Sequence, residues 1–316
     1  MRKSRVDLGE ATLDVEPKQG VFPEQITKNK TIILAKHAGF CYGVKRAVET
    51  TKKLKIENPQ KDIRVLGELI HNSQVIQELE EMGIKTVNSI DACANVEGIC
   101  IIRSHGISDS AYSEMQQKGF EIADLTCPDV KKVQQKAIEL ARSGYLLVII
   151  GKPEHPEVVA IKANAQQYSS NVFVVQDIEA VKEIEPVIAK LQKVGVVVQT
   201  TQRIEIFKEI TDYLAPLVAE LKVYNTICAS TSLRQREAKE LAEKSDLMIV
   251  VGSKKSANTT HLAEILTDIT KTIHIEDDNE LENYENEIAN AQKIGVTAGA
   301  STPEDIINKV LDKLNT

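Results

Sequence analysis

The chain has 316 residues and a mass of 34.9 kDa, which is long enough for two or three compact units that each bury a core. Its 42% hydrophobic and 27% charged residues are typical of a globular protein, and no apolar run is long enough to cross a bilayer. The formal net charge of −7 argues against nucleic acid as the main partner, so the composition favours a small-molecule partner.

The N-terminal segment, residues 1–30, has no counterpart later in the chain and is predicted to be an extension. No apolar stretch of the kind found in a secretory signal follows its charged first residues, so we expect a cytoplasmic location. In that compartment, five cysteines favour thiolate chemistry over disulfides.

From residue 31 onward the predicted elements repeat three times. Each third begins with a short apolar strand that is predicted to end in a cysteine, as in "TIILAKHAGFC", "FEIADLTC" and "LKVYNTIC", and a polar helix follows each cysteine. A second strand ends in glycine ("IRVLG", "YLLVIIG", "LMIVVG"), and a third follows ("ICIIRSHG", "VGVVVQTT", "IGVTAGAS"). The cysteine-to-glycine spacing is 24 residues both from Cys127 to Gly151 and from Cys228 to Gly252. The repeat predicts three modules, which span residues 31–123, 124–221 and 222–316.

Strands that alternate with helices of this length predict parallel sheets, whose binding residues lie at the carboxyl ends of the strands. We therefore predict an α/β fold of three similar parallel-sheet modules, arranged as a pseudo-threefold trefoil around a central cluster site.

Three cysteines, Cys41, Cys127 and Cys228, recur at the same strand-to-helix turn. Unpaired N–H groups make the potential there positive, which favours a thiolate and hence a metal ligand. Cys93 and Cys100 occur only in the first third, and we expect them to pack in a core. Three thiolates could hold zinc or an iron–sulfur cluster. Their separations of 86 and 101 residues are unlike the paired spacing of structural zinc and favour the cluster.

Polar loops at the other strand ends predict a pocket for an anion. His71, His105 and His155 lie at repeat-equivalent positions, where a histidine can donate to an anionic ligand or supply a proton. The third module offers other side chains near predicted helix N-termini, which bind phosphate well; they are Ser256, Asn258 and Ser301. No GxxxxGK motif is present, so the pocket is read as a diphosphate site and not as a nucleoside triphosphate site.

Glu157 is the predicted proton donor, because it lies two residues after His155 and beside the strand end that carries Thr200. Desolvation and neighbouring negative charge would favour its neutral form. The alternative is a first-turn glutamate that only complements the helix dipole.

Together, the motifs "GFCYGVKRAV", "HNSQV", "SHGIS", "TCPDVKKV", "HPEV", "QTTQ", "TICASTSLRQREA", "GSKKSANTTHLAE" and "GVTAGAS" resemble the 4-hydroxy-3-methylbut-2-enyl diphosphate reductase family. These oxidoreductases catalyse the last step of the non-mevalonate isoprenoid pathway. The resemblance runs in order from about residue 31 to the end of the chain.

The resemblance implies a 4Fe-4S cluster on Cys41, Cys127 and Cys228, with the substrate hydroxyl bound at the open iron. It implies reductive dehydroxylation of the diphosphate to isopentenyl and dimethylallyl diphosphate, with electrons from a flavodoxin or ferredoxin. The resemblance implies that the diphosphate is bound by His71, His105, Ser256, Asn258 and Ser301. It implies that His155 and Thr200 lie near the substrate and that Glu157 delivers a proton. Ala257 departs from the family, which often has a second serine there.

Two other interpretations remain open at this point. A quinolinate synthase-like dehydratase would share three cysteines but bind carboxylates, for which arginines are expected; among the strand-end loops only Arg103 offers one. A zinc-stabilised or redox-sensing binding protein would need no substrate pocket at all.

Overall fold

The computed structural model describes residues 6–8, 24–26, 30–93 and 98–315, in which strands and helices alternate. In chain order the strands of this part are β1 (Val6–Leu8), β2 (Glu24–Ile26), β3 (Thr31–Leu34), β4 (Ile63–Leu66), β5 (Ile84–Val87), β6 (Ile99–Ile102), β7 (Glu121–Asp124), β8 (Leu146–Ile150), β9 (Val172–Val175), β10 (Lys193–Val198), β11 (Glu220–Val223), β12 (Leu247–Val251), β13 (Thr272–Ile275) and β14 (Lys293–Ala298).

The helices of the same residues are α1 (Tyr42–Glu57), α2 (Ser73–Glu81), α3 (Asp109–Gln117), α4 (Pro128–Arg142), α5 (Pro156–Gln166), α6 (Ile178–Leu191), α7 (Ile204–Leu214), α8 (Ala229–Ala242), α9 (Ala257–Thr267), α10 (Glu285–Asn290) and α11 (Glu304–Leu314). Short 3₁₀ segments span Asp91–Cys93, Ala215–Leu217 and Asp278–Tyr284. Across the described ranges, every helix is too short or too polar to span a membrane.

These strands form three sheets with the same internal order. The first sheet is β5-β4-β6-β7, the second is β9-β8-β10-β11-β1, and the third is β13-β12-β14-β3-β2. All strand pairs in the described residues are parallel except β2 with β3. The predicted α/β fold with three parallel sheets is therefore confirmed. The pseudo-threefold placement of the modules and their boundaries stay predictions.

The strand that precedes Cys41 belongs to a sheet built mainly from the last third of the chain. β3 pairs with β14, in the register Leu34 with Val296. β7 and β11, which precede Cys127 and Cys228, occupy the same place in the first and second sheets, beside β6 and β10. Each sheet thus ends its common four-strand order with the strand that leads to a cysteine.

The central strands are buried on both faces, as their continuous apolar runs predict for parallel sheets. Along β8, Leu146 and Val148 belong to one apolar cluster, whereas Leu147 belongs to another. Along β12, Ile249 and Met248 likewise belong to different clusters. Since successive side chains of a strand point to opposite faces, two helix-covered cores flank each of these sheets.

The chain divides into two compact units. The first unit contains β1 and the described residues of Glu49–Leu69 and Met82–Cys228, which include the whole of the first and second sheets. The second unit contains β2, the described residues up to Val48, the segment Ile70–Glu81 and the chain from Ala229 onward, with the third sheet. Apart from β1, β2 and residue 30, the predicted N-terminal extension lies outside the described residues.

Cys93 and Cys100 lie in the core, as expected, but they also form a disulfide. Their Cα atoms are 5.9 Å apart, and they pack with Ile102 and Met115. The expectation of thiolate chemistry therefore applies to the remaining three cysteines, which are outside this disulfide. Sequence spacing could not reveal the pairing, because it depends on how the Asp91–Cys93 turn folds against β6.

Candidate active site

Each of the three remaining cysteines directly precedes a helix. Cys41 precedes α1, Cys228 precedes α8, and Cys127 is the N-cap residue of α4, which has Pro128 at its first position. All three are partly buried. The unpaired N–H groups at a helix N-terminus favour a thiolate, so the predicted setting of the cysteines agrees with the structure.

The strands before the cysteines end earlier than the sequence suggested. β7 ends at Asp124 because its carboxylate accepts the N–H of Thr126 at 2.9 Å and starts a turn. After β11 ends at Val223, the Thr226 hydroxyl accepts the N–H of Val198 at 2.8 Å in place of a main-chain carbonyl. The cysteines therefore lie on loops, a few residues beyond the strands.

One main-chain hydrogen bond recurs at all three cysteines. The N–H of Cys127 donates to the carbonyl of Ser104 at 2.9 Å, and the N–H of Cys228 donates to that of Thr200 at 3.0 Å. The N–H of Cys41 donates to the carbonyl of Ala300 at 3.2 Å. Each acceptor lies two residues past the end of the third strand of its sheet, β6, β10 or β14. The three cysteines are thus structurally equivalent, and not only equivalent in sequence.

In the first unit, Glu157 and Thr200 form a buried pair. Glu157 is 1% exposed, and its two carboxylate oxygens accept the N–H and the hydroxyl of Thr200, each at 2.7 Å. Since the carbonyl of Thr200 binds the N–H of Cys228, one residue connects the carboxyl group to a cysteine loop.

Burial raises the pKa of Glu157 to about 7, because desolvation penalises its charged form. The two hydrogen bonds from Thr200 lower this pKa, and the negative charge of Asp129 raises it further. A carboxyl group with a pKa near neutrality can both hold and release a proton at physiological pH. The predicted neutral form thus has the physical cause that was expected from the sequence.

The Glu157 pKa predicts a pH-dependent stability. Its pKa is higher in the folded chain than the usual 4.5, so between those two values the folded state binds more protons than the unfolded state. We expect the free energy of unfolding to fall from pH 5 to pH 8 by up to about 3 kcal/mol from this group. Urea unfolding of wild type and Glu157→Gln at both pH values measures it. An equal pH dependence in the two proteins would contradict this assignment.

Removing the Thr200 hydroxyl is expected to raise the Glu157 pKa further. Thr200→Val keeps the shape of the side chain and the main-chain donor but deletes one hydrogen bond to the carboxylate. Infrared titration of the carboxylic-acid C=O band reports the pKa directly. Thr201→Val is the matched control, because its hydroxyl bonds Gln199 at 3.0 Å. A Glu157 titration that is unchanged in Thr200→Val would show that the hydroxyl bond is not significant.

Two of the predicted histidines lie together in the first unit. His155 is the N-cap residue of α5, where its Nδ1 accepts the N–H of Glu157 at 3.2 Å. Its ring packs edge-to-face on that of His105, with the centroids 5.3 Å apart. His105 directly follows Ser104, the acceptor for the Cys127 amide. The six predicted site residues of this unit are therefore linked through neighbouring contacts.

The second unit brings its predicted site residues together around Ala300. Asn258 accepts the N–H of Ala300 through Oδ1 at 3.0 Å, and the Ala300 carbonyl accepts the N–H of Cys41. Ser301 donates from Oγ to the carbonyl of His71 at 3.2 Å. Ser256 is the N-cap residue of α9, whose first residue is Ala257.

Glu157 and Asn258 occupy equivalent positions in the two sheets. Each lies two residues past the N-cap of the helix that follows the second strand of the common order, β8 or β12. Each accepts the N–H of the residue two past the third strand, Thr200 or Ala300. Equivalent positions in the first turns of α5 and α9 thus carry a carboxyl group in one module and a neutral amide in the other.

Sequence reasoning missed two polar residues of the second unit, one bonded to Asn258 and one next to His71 in sequence. Thr231 lies three residues after Cys228 and is 1% exposed. Its hydroxyl accepts a hydrogen bond from Nδ2 of Asn258 at 3.4 Å. Asn72 precedes α2 and accepts the N–H of Val75 at 3.1 Å, as a helix N-cap does. The hydroxyl-rich "CASTS" segment could have indicated Thr231, and alignment on the N-cap residues could have indicated Asn72.

Comparison with known proteins identifies the family. The profile of the LytB protein family matches residues 32–315. The chain belongs to this family. It is 43% identical over 285 residues to the 4-hydroxy-3-methylbut-2-enyl diphosphate reductase of Geotalea uraniireducens (strain Rf4), a match that covers 90% of this chain and 96% of the relative. It is 42% identical over 287 residues to the enzyme of the same name from Trichlorobacter lovleyi, covering 90% and 97%.

Solved structures of LytB-family reductases share the fold. One, described as the terminal enzyme of the non-mevalonate pathway, has 38% identity and a TM-score of 0.67, covering 90% of this chain and 98% of that one. A reductase from Plasmodium falciparum has 27% identity and a TM-score of 0.83, covering 91% and 89%. The resemblance that the motifs predicted is confirmed, and the chain is an enzyme of this oxidoreductase family.

Proposed function

We propose that the protein catalyses the reductive dehydroxylation of (E)-4-hydroxy-3-methylbut-2-enyl diphosphate to isopentenyl and dimethylallyl diphosphate. Two electrons and two protons break the C–O bond, and the hydroxyl leaves as water. The observation that carries this proposal is the near-neutral carboxyl group of Glu157 beside a cysteine loop. LytB family membership supports the substrate and its place as the last step of the non-mevalonate pathway.

The proposal assigns a 4Fe-4S cluster to Cys41, Cys127 and Cys228. Their chemistry fits this group, since all three are outside the disulfide and each precedes a helix N-terminus, where a thiolate is favoured. When bound, a cluster with three thiolate ligands supplies electrons and one iron that can act as a Lewis acid.

The diphosphate is assigned to loops and helix N-termini that offer hydrogen-bond donors. Ser256 and Asn258 lie at the N-terminus of α9, where unpaired main-chain N–H groups and the helix dipole favour phosphate. His71, His105 and Ser301 complete the predicted set. The missing hydroxyl at Ala257 leaves the main-chain donors of that turn unaffected, so we expect this departure to weaken binding only slightly.

Proton delivery is assigned to Glu157, with Thr200 and His155 beside the substrate. Thr200 holds the carboxyl group by two hydrogen bonds. Nδ1 of His155 accepts a hydrogen bond from the main-chain N–H of Glu157. These contacts hold the carboxyl group in a fixed position at the start of α5.

We further propose that the chain comprises three modules, residues 31–123, 124–221 and 222–316. The common strand order of the three sheets supports this division. A small flavodoxin or ferredoxin is proposed as the electron donor, as the family suggests. A cytoplasmic location is proposed because a reducing compartment keeps metal-binding thiols available.

The decisive experiment is anaerobic purification followed by assay of the hydroxylated diphosphate with an artificial reductant. We expect a coloured protein that contains iron and acid-labile sulfide and forms both diphosphate products. A colourless protein with stoichiometric zinc and no sulfide would overturn the cluster assignment. A cluster-containing protein that does not consume this substrate would overturn the proposed reaction.

A further inference from the structure

We propose that Arg234 and Glu237 are positioning residues that hold the Cys41 loop, residues 36–40, so that the Cys41 thiolate keeps its ligand orientation. This inference rests on the proposed function only for the identity of the group that Cys41 binds. The contacts themselves all lie within the second unit.

The Cys41 loop has few main-chain partners of its own. β3 ends at Leu34, and the N–H of Ala35 still donates to the carbonyl of Val296 in β14, at 2.8 Å. Beyond it the chain leaves the sheet, and at Gly39 it adopts a left-handed conformation with φ of +88°. Such a loop needs other partners for its N–H and carbonyl groups.

Glu237 supplies the acceptors for the first half of the loop. Its Oε1 accepts the N–H of Lys36 and its Oε2 accepts the N–H of His37, both at 2.8 Å. The same carboxylate lies 3.0 Å from Nδ1 of the His37 ring. Glu237 is only 8% exposed, so these charge-assisted bonds are largely shielded from water.

Arg234 supplies the donors for the second half. Its Nε donates to the carbonyl of His37 at 2.9 Å, and its Nη2 donates to the carbonyl of Gly39 at 2.7 Å. The side chain is 3% exposed. Arg234 and Glu237 are three residues apart on α8, and therefore lie on one face of the helix. Two charged side chains thus bind four main-chain groups of the loop.

The loop that is held in this way ends at Cys41. Only Phe40 separates Gly39 from Cys41, whose N–H is itself bound to the carbonyl of Ala300. A side chain at Gly39 would be strained, because φ is +88° and a Cβ atom there would lie 3.0 Å from Cδ1 of Ile307. The main chain at Cys41 is therefore held by its own N–H, which bonds Ala300. The loop just before it is held by the contacts of Arg234 and Glu237.

The first test uses protein from which metal has been removed, so that it does not depend on activity. We expect Glu237→Ala and Arg234→Ala to increase the rate of Cys41 alkylation by iodoacetamide about tenfold, the ratio that corresponds to losing roughly 1.4 kcal/mol of charge-assisted bonding. Peptide mass spectrometry measures it, with Cys127 as the internal reference. Glu237→Gln keeps one acceptor oxygen and should lie between wild type and Glu237→Ala.

Matched controls on or just after the same helix are Arg236→Ala and Glu243→Ala, whose side chains are exposed. The inference is overturned if Cys41 reacts at the wild-type rate in Glu237→Ala. It is also overturned if Cys41 and Cys127 become more reactive together and the melting temperature falls, because this would show a general loss of stability.

The second test uses the cluster-loaded protein. Glu237→Gln should lose iron to a chelator faster than Glu243→Ala, and should have an altered electron paramagnetic resonance spectrum of the reduced cluster. Unchanged iron loss and spectrum would overturn the assigned link to the metal ligand. If the wild-type protein binds no cluster but Cys41 alkylation still responds selectively, the proposed function fails while the holding of the loop stands.

Discussion

Replacing Glu157 by glutamine is expected to lower turnover by about 10²- to 10⁴-fold, the usual contribution of a positioned general acid. The amide has the shape of the carboxyl group and can keep a hydrogen bond to Thr200, but it has no proton to donate at neutral pH. Binding of the diphosphate should persist, because the carboxyl group of Glu157 bonds Thr200, which is not among the residues assigned to the diphosphate. Anaerobic steady-state turnover and calorimetric binding of the substrate measure the two effects separately.

The matched control is Glu154→Gln, an exposed glutamate in the same loop. It should leave both turnover and binding unchanged. Unaltered turnover in Glu157→Gln would remove the proton-delivery role. Equal loss of binding and turnover would instead assign Glu157 to the architecture of the loop, through its bonds to Thr200.

Replacing any one of the three equivalent cysteines by serine is expected to abolish the cluster. A serine hydroxyl is a hard ligand that remains protonated near neutral pH, so it binds iron poorly in place of a thiolate. Iron should fall from about four atoms per chain to well below one, with loss of visible colour and of turnover. Chemical analysis of iron and acid-labile sulfide measures this in Cys41→Ser, Cys127→Ser and Cys228→Ser.

The control for the cysteine series is the double variant Cys93→Ala/Cys100→Ala. These residues form a buried disulfide under the first sheet and are assigned no ligand role. The double variant should keep its iron and sulfide, although it is expected to melt at a lower temperature. Normal iron content in a single serine variant, or loss of iron in the alanine double variant, would contradict the assignment of ligands.

Sequence and structure contributed differently to the fold. The alternation of apolar strands and polar helices, and the recurrence of glycine and cysteine at fixed spacing, are local features, so the three-sheet α/β fold was predictable. The partner of each strand was not. β3 lies at the start of the first predicted module but pairs with β14 near the end of the chain, because pairing depends on tertiary contacts between distant segments.

For the candidate site, too, sequence and structure contributed different information. The candidate residues could be chosen from the sequence, because three cysteines and the polar loops recur at equivalent strand ends; their roles stay predictions. Only the tertiary structure decided how they are held. Glu157 meets Thr200 across 43 residues of sequence, and Glu237 meets Lys36 across 201.

The three cysteines illustrate the distinction most clearly. The sequence by itself determined which of the five are equivalent, because the repeat is encoded in spacing. The tertiary structure decided that the other two form a disulfide, that each equivalent cysteine amide binds a carbonyl at the end of a neighbouring strand, and that Glu157 has a pKa of about 7. These properties depend on burial and on long-range hydrogen bonds, which the order of residues specifies only through the folded chain.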